Sequence, residues 1–371
     1  MARILISPLA WGLGHATRDI PIIKVLLEEG HSLGIVATGA AYELLEKEYP
    51  DFDFYNVTDY PSPYTAEGFS VARVVALYPL MFRNIMRETR LLRRIVRRGK
   101  YDLVISDNRF GIHDNRVPSL FISHQIRYSV PGYIEWAERT SEWFNARYHS
   151  NFDRVIIPDN PPDVLPLSGK LGRANQRITK RKAYYAGILS SIKKIDVPED
   201  LDYLVSVSGP KEQKDRFRDA VMSQITELPG KKVVLLGDPS GDVDEKLDED
   251  THIMSHASRE EMTLLMNRAS FIITRSGYTT VMELAELGGK QALFVPTPGQ
   301  TEQEYLSDYY EKMGWFYSVS QKDLDLIRDV ELAREYPGLP PMSKSADNAR
   351  RLYDEVIRGY LPASKRYYLT A

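Results

Sequence analysis

The chain of 371 residues contains no cysteine. Disulfides, thiolate metal sites and a cysteine nucleophile are therefore all excluded, and a reducing compartment suits the composition. Long apolar runs are missing too. No segment approaches the ~18 residues that a membrane-crossing helix needs. The stretch Met1 to Leu9 is a short apolar run that flows into a glycine turn, so no secretory signal is expected and a cytoplasmic location is. Metal-ligand spacing is lacking as well. The seven histidines are scattered, and Asp-x-Asp pairs at 51, 200, 242, 248 and 323 lie mostly in acidic surface stretches. Charge of one sign is scarce: a net charge of -3 gives no global pull toward nucleic acid, so any basic function must be local.

What is present is a soluble-type composition, 43% hydrophobic and 27% charged, in a chain too long for one ordinary core. Short β-rich runs alternate with helical periodicity. Strands are expected at 4–7, 33–37, 103–106, 119–122 and 154–157, with helices at 17–29 and 40–48. Residues 158–182, rich in proline and charge, read as an exposed connector. A second series follows, with strands at 203–207, 232–236, 252–254, 271–274 and 292–295 and helices at 211–227, 259–268, 280–287 and 345–358. Such alternation implies an α/β fold with parallel sheets and βαβ crossovers. The expected organisation is one Rossmann-like domain over 1–190, a linker over 191–200, a second Rossmann-like domain over 201–345, and a helix and tail over 346–371. Ligands in such sheets sit at the carboxyl ends of the strands.

The first strand runs into Trp11-Gly12-Leu13-Gly14-His15-Ala16-Thr17-Arg18-Asp19. A dinucleotide fingerprint would need Gly or Ala at 17, where Thr stands, and an acid at the end of the second strand, where Ala37-Thr38-Gly39 stands. No Gly-Lys-[Ser/Thr] follows, so the turn is not a Walker loop. What remains is a turn that sets His15 in the first turn of a helix, where the helix end favours an anion and a neutral imidazole. A neutral His15 could take a proton from an attacking hydroxyl, with Asp19 or Asp107 as the reserve base. The alternative is a tight turn with a packed histidine.

Two further stretches carry chemistry. Thr274-Arg275-Ser276-Gly277-Tyr278-Thr279-Thr280-Val281-Met282-Glu283 is a strand, a turn and a helix start. Its amides and hydroxyls could hold a diphosphate, and Glu283 shares the helix face of Thr280. Phe294-Val295-Pro296-Thr297-Pro298-Gly299-Gln300-Thr301-Glu302-Gln303-Glu304-Tyr305 is a buried strand, a Pro/Gly loop and a polar helix start suited to sugar hydroxyls.

Taken together, the order of these motifs resembles the nucleotide-sugar site of GT-B glycosyltransferases. The similarity is to the family 28 type that completes the lipid-linked peptidoglycan precursor, in a related branch. The Gly12 to His15 turn and Ser123-His124-Gln125 fit the amino half of that family. The resemblance implies two Rossmann-like domains facing a cleft, with the last helix packing back on the first domain. It implies a metal-independent, inverting transfer, with no cofactor, from a UDP-sugar to a hydroxyl acceptor, lipid-linked in that family. Carried over by position, Glu283 binds the donor ribose, and Ser276, Gly277 and Thr280 hold the diphosphate. Gln303 and Glu304 contact the sugar, Ser208 and Lys211 flank the phosphates, and Arg259 lies near the base. Gly12, Gly14, Arg18, Arg109, His124 and Gln125 fall on the acceptor side, with His15 at the reacting centre. Glu304 departs from the glutamine of that family, and Ser208-Gly209-Pro210-Lys211 replaces a looser loop.

A helix read from Pro79 to Gly99 carries Arg83, Arg87, Arg90, Arg94 and Arg97 on one stripe, opposite Met81, Ile85, Leu92 and Ile95. The stripe is either a solvated face or a contact for anionic lipid headgroups or an acceptor pyrophosphate. Two other functions stay open at this point. One is a nucleotide-sugar hydrolase or epimerase in which His15 activates water. The other is a non-catalytic binder of membrane surface or nucleic acid through the arginine stripe.

Overall fold

The computed structural model describes residues 1–61, 64–65, 68–130 and 136–362. The first half comprises β1 (Arg3–Pro8), α1 (Gly14–Glu28), β2 (Ser32–Ala37), α2 (Gly39–Glu48), β3 (Asp53–Asn56), the small pair β4 (Tyr64–Thr65) and β5 (Gly68–Phe69), α3 (Val71–Gly99), β6 (Leu103–Asp107), β7 (Ser119–Ile122), α4 (Trp136–His149), β8 (Arg154–Ile157), α5 (Arg177–Lys182) and β9 (Ala183–Tyr185). The second half comprises β10 (Leu201–Ser206), α6 (Lys211–Met222), β11 (Lys232–Leu235), β12 (Asp244–Lys246), β13 (Thr251–Met254), α7 (Arg259–Arg268), β14 (Ala269–Thr274), α8 (Tyr278–Leu287), β15 (Gln291–Phe294), α9 (Thr301–Lys312), β16 (Tyr317–Ser318), α10 (Leu326–Ala333) and α11 (Ser345–Glu355).

Two seven-stranded sheets result. The first has the order β3-β2-β1-β6-β7-β8-β9 and is parallel throughout. The second has the order β12-β13-β11-β10-β14-β15-β16, with only the edge strand β12 antiparallel. Strands covered on both faces need continuous apolar runs, and β6, β7 and β11 are buried along their whole length. In each sheet the order reverses at the first strand, between β1 and β6 and between β10 and β14. Those two switch points are where loops diverge and leave a crevice.

The last helix returns to the first sheet. Ala349, Leu352 and Tyr353 of α11, with Val356 and Ile357 beyond it, join the core formed by Ile20, Ile23 and Leu26 of α1 and Ile4 and Ile6 of β1. This is the α/β architecture of two Rossmann-like layers with a carboxyl-terminal helix packed on the first.

Several readings change. The basic helix starts at Val71, not Pro79, because Ser70 caps it by accepting from Arg73 N at 3.3 Å. Pro79 lies within the helix, where it removes one hydrogen bond without ending it. The expected helix 211–227 stops at Met222, and a short 3-10 turn covers Ile225–Glu227. The segment 158–182 is not an exposed connector. Asp159, Leu167, Ser168 and Leu171 are fully buried, and the second half of the chain packs on them. Tyr278, Tyr309 and Tyr310 donate their hydroxyls to the carbonyls of Pro158, Pro166 and Leu167, while Tyr305 Oη accepts from Lys170 N at 2.7 Å. Asp159 organises this bed by accepting from the amides of Asn160, Leu167 and Ser168 at 2.7–2.8 Å.

Candidate active site

Loops from the two switch points meet. Gly12, at φ 109°, turns the chain after β1, and His15 becomes the second residue of α1. Gly14 packs so tightly against Thr279, at the start of α8, that Thr279 Oγ1 fills the place of a Cβ. Only a glycine lets the two elements approach that closely.

His15 faces the end of β6. Its Nδ1 lies 2.9 Å from Asp107 Oδ1. One turn further along α1, the fully buried Arg18 donates Nε to Asp107 Oδ2 at 2.6 Å and Nη2 to Asp107 Oδ1. Arg18 Nη2 also lies 2.8 Å from His15 Nδ1. Burial alone would raise the Asp107 carboxyl, but the Arg18 guanidinium and His15 outweigh it and hold the group well below the usual carboxylate range. His15 Nδ1 thus stands between an acceptor, Asp107 Oδ1, and a donor, Arg18 Nη2. In the tautomer that pairs with Asp107 the proton sits on Nδ1 and the Nε2 lone pair has no partner among the described residues, on a side chain that is 15% exposed.

The network continues across the cleft. Arg18 Nη1 donates to His124 Nδ1 at 2.8 Å, and His124 Nε2 lies 2.8 Å from Glu302 Oε1 at the start of α9. Gln125 Nε2 donates to the other oxygen of Glu302. Burial lowers the His124 pKa despite the pull of Glu302, and Arg18 and His15 lower it further. His124 is thus neutral, with Nδ1 accepting and Nε2 donating, and neither nitrogen is free to take a proton. Its ring stacks on Tyr278 with centroids 4.3 Å apart and planes 5° apart. His15, Arg18, Asp107, His124, Gln125 and Glu302 form one connected cluster drawn from both halves of the chain.

Two expected residues lie outside it. Asp19 is 1% exposed, and neither carboxylate oxygen has a hydrogen-bond donor among the described residues. Burial and then the neighbouring Asp107 push its pKa well up, and its burial puts it out of reach of a substrate. Arg109 is fully buried and faces away from the cleft. It donates to Glu88 Oε1 from Nε at 2.9 Å and Nη2 at 2.6 Å, to Thr58 O and to Asp59, and it lies over the Tyr60 ring. Its work is to hold the first half of the chain together.

On the other side of the cleft, Gly277 caps α8 with no side chain over the helix end, and an added Cβ there would meet only Gln303 Nε2 at 4.0 Å. No side chain among the described residues caps the first-turn amides. Thr280 is half-buried and has no side-chain hydrogen bond among the described residues. Ser276 is committed elsewhere: its buried Oγ donates to Gln303 O at 2.9 Å and meets Ser307 Oγ at 2.8 Å. Gln303 Oε1 accepts from Thr297 N at 2.8 Å, which turns its amide nitrogen toward Gly277. Glu304 is exposed and holds the Pro/Gly loop by accepting from Gly299 N at 2.7 Å. Thr297 Oγ1 is buried beside Gly209 without a partner among the described residues.

One turn into α8, Glu283 is half-buried and engages no donor among the described residues, and burial pushes its pKa up to about 7. Ser208 is exposed at the end of β10. Lys211 points outward and pairs with Asp215 at 2.8 Å, with its side chain 85% exposed. Arg259 pairs instead with Glu48 of α2, joining the two halves.

Arg275 was part of the motif but not of the expected binding set. It donates to Ser208 O, Val295 O, Pro296 O, Gln213 O and Gln321 Oε1, all uncharged oxygens, and lies 4.2 Å from the Phe217 ring centre. It ties the loops after β10, β14 and β15 together and leaves at their root a buried positive charge with no carboxylate partner among the described residues. Glu302, Tyr278 and Thr279 were also missed as site residues. Only the acid–amide–acid run 302–304 hinted at the first.

Residues 207–353 match the glycosyltransferase family 28 C-terminal domain. The chain is 23% identical over 358 residues to an uncharacterised glycosyltransferase of Methanosarcina acetivorans, covering 88% of this chain and 89% of that one. It is 22% identical to a counterpart in Methanosarcina mazei, covering 90% and 91%. Among solved structures, the calicheamicin glycosyltransferase CalG4 superposes with a TM-score of 0.62 at 15% identity, covering 98% of this chain and 96% of that one. MurG of Acinetobacter baumannii gives 0.58 at 14% identity, covering 96% and 100%. The two facing sheets, their switch-point crevices and the returning helix are the GT-B fold of glycosyltransferases, with the family 28 sequence pattern in the carboxyl-terminal part.

Proposed function

We propose that the protein transfers a sugar from a nucleoside-diphosphate sugar to a hydroxyl group of an acceptor. The observation that carries this reading is the meeting of two features at the Gly14–Thr279 contact. One is an imidazole backed by a buried carboxylate, with its outer nitrogen free; the other is the open amino end of α8. The first suits a general base, the second a diphosphate.

In the proposed reaction, the diphosphate lies on the α8 amides and the Thr280 hydroxyl, in the field of the buried Arg275. Glu283 accepts from the ribose hydroxyls, and Gln303 Nε2 reaches the sugar. His15 Nε2 takes the proton of the acceptor hydroxyl as its oxygen attacks the anomeric carbon. The bond from that carbon to the phosphate oxygen breaks, and its electron pair leaves on the diphosphate. Helix amides and Arg275 offset the new charge without a metal. A single displacement inverts the anomeric centre. Asp107 stabilises the imidazolium that forms, and Arg18 keeps Asp107 ionised and fixed.

The nucleotide is read as a diphosphate, with UDP as the first candidate. The solved structure of VinC contains dTDP, and that of a plant glycosyltransferase of Arabidopsis thaliana contains UDP-L-rhamnose. The acceptor is read as anionic or lipid-linked. Arg83, Arg87, Arg90, Arg94 and Arg97 are exposed on α3 without an ion-pair partner among the described residues. On the same helix Tyr78, Phe82 and Met86 are 40–49% exposed at four-residue spacing, an apolar ridge beside a cationic one.

Thermal-shift titration with UDP, GDP, CDP and dTDP tests the donor site. One nucleotide should stabilise the wild type and leave Glu283→Ala unshifted; no shift with any of them defeats the reading. Sugar release from the matching donor in the absence of acceptor, at an undiminished rate, would turn the assignment to a hydrolase.

A further inference from the structure

At the opposite ends of α1 and α8 from the candidate active site lies a cavity of about 460 Å³. It is bordered by the later turns of α1, by residues 190–194 where the chain crosses between the sheets, by Glu286 near the end of α8, and by the start of α11. Lys24, nine residues after His15, stands about 14 Å along the helix from it at 1.5 Å per residue. The cavity is therefore separate from the cleft.

Its charges are unevenly spent. Glu28 pairs with Arg350 at 2.6 Å, and Glu286 accepts from Ser345 N at 2.8 Å and Ser345 Oγ at 2.7 Å. Lys344 caps the carboxyl end of α8 by donating to Glu286 O. Lys24, Lys193 and Lys194 have no hydrogen-bond or ion-pair partner for their ammonium groups among the described residues. Of the lining carboxylates Asp347, exposed at the rim, is the one with neither an ion pair nor a hydrogen bond among the described residues; Glu48 and Glu260, beyond the lining, also attract Lys24, while Lys193 and Arg259 repel it. The amides of Ala346 and Asp347, in the first turn of the eleven-residue α11, have no acceptor among the described residues. Ser191, which also lines the cavity, is 9% exposed, and its Oγ is buried with no hydrogen-bond partner among the described residues. Such a hydroxyl is costly to leave unpaired.

We infer that this cavity is a second anion site, which takes a small phosphate-bearing molecule between Lys24, Lys193 and Lys194, with Ser191 Oγ and the α11 amides as further donors. Three ammonium groups, a helix amino end and a free hydroxyl are what a phosphate accepts from. The occupant joins α1 to the crossing segment and to α11, so it ties the two sheets at their pivot and steadies one arrangement of the cleft at the far ends of the same two helices. The inference does not depend on the donor or acceptor of the transfer reaction.

Titration calorimetry of the full chain with inorganic pyrophosphate at constant ionic strength tests it, with saturating UDP present to fill the donor site. Saturable binding is expected to persist under UDP and in Glu283→Ala. It should weaken about tenfold or more in Lys193→Ala/Lys194→Ala, a loss of two charge-assisted contacts. Both lysines are exposed, so this variant keeps its fold; Ser191→Ala gives a second, uncharged probe and should weaken binding by a smaller factor. Displacement of all pyrophosphate by UDP overturns the inference. So does loss of binding in Glu283→Ala, wild-type affinity in both cavity variants, or no saturable binding at all.

Discussion

Thr279 Oγ1 occupies the space that a Cβ on Gly14 would need, so one methyl group would wedge the two halves of the chain apart. Gly14→Ala is expected to cost about 1–3 kcal/mol as overpacking and to reduce turnover by displacing His15 from α8. Removing the obstructing hydroxyl should restore much of both. In Gly14→Ala/Thr279→Ala the nearest atom becomes Thr279 Cβ at 3.3 Å, a contact that a small shift relieves. Melting curves and initial rates of the single and double variants check this. No rescue would mean that the glycine is needed for another reason.

His15 and Asp107 should separate activity from stability. His15→Ala removes the proposed base from a half-open position and should lower kcat about 100- to 10,000-fold with little change in unfolding midpoint. Asp107→Asn turns an amide NH2 toward a buried guanidinium that needs two acceptors, so it should lose activity and also about 3–5 kcal/mol. Single-turnover rates and denaturant midpoints on both variants decide it. Equal destabilisation by the two would argue against the assigned roles.

If Glu283 accepts from the donor ribose as proposed, nucleotide binding should depend on pH. Its carboxyl titrates at about 7 in the folded protein, above the ordinary value of 4.5, because it is desolvated. Between those values the folded protein holds a proton that the unfolded chain has released, so its contribution to stability is present at low pH and is lost as pH rises through about 7. Ribose hydroxyls that donate to the carboxylate reverse the preference, so nucleotide affinity should rise from pH 6 to pH 8, to about tenfold at most per unit shifted. Calorimetry in buffers of different ionisation enthalpy should detect proton release on binding, and Glu283→Gln should abolish both effects. A flat affinity profile in the wild type would count against a contact with the ribose.

If α3 rests on anionic lipid, wild-type protein should sediment with phosphatidylglycerol vesicles and leave them as salt rises from about 0.1 M to about 1 M, where the screening length falls from about 10 Å to 3 Å. Arg83→Gln/Arg87→Gln/Arg90→Gln/Arg94→Gln should fail to sediment at either salt, while its turnover of a soluble donor is unchanged. Equal partition of wild type and variant would assign the stripe to plain solvation.

Buried parallel strands were legible because they are uninterrupted apolar runs between turn residues: 119–122 and 154–157 appear in the structure as read, as does the helix 259–268, which Ser258 and Glu261 cap reciprocally. The helix Trp136–His149 was not read, since its apolar residues are too sparse for a clear helical stripe. Within the site, the turn at Gly12–His15 and the start of α8 were visible as local motifs. The partnership of His15 with Asp107 spans 92 residues and emerges only when β6 pairs with β1. Arg109 misled for a backbone reason. Asn108 adopts φ 60°, and that left-handed residue sends the next side chain into the interior, not to the cleft. Ser276 looked like a phosphate ligand by type, yet its hydroxyl is spent on Gln303 O, a contact that no local pattern encodes.

The chain passes between the sheets twice. The segment after β9 sends Ala186 and Leu189 into one core and Ile188 and Ile192 into the other, and α11 brings it back. The two passages are laced together: Asn348 Nδ2 donates to Ile188 O at 3.0 Å, and Ser190 N donates to Ser345 Oγ at 2.8 Å. A single tether would let the halves swivel freely. Two strands of chain bonded side by side resist twist between the halves, which favours one placement of His15 over α8.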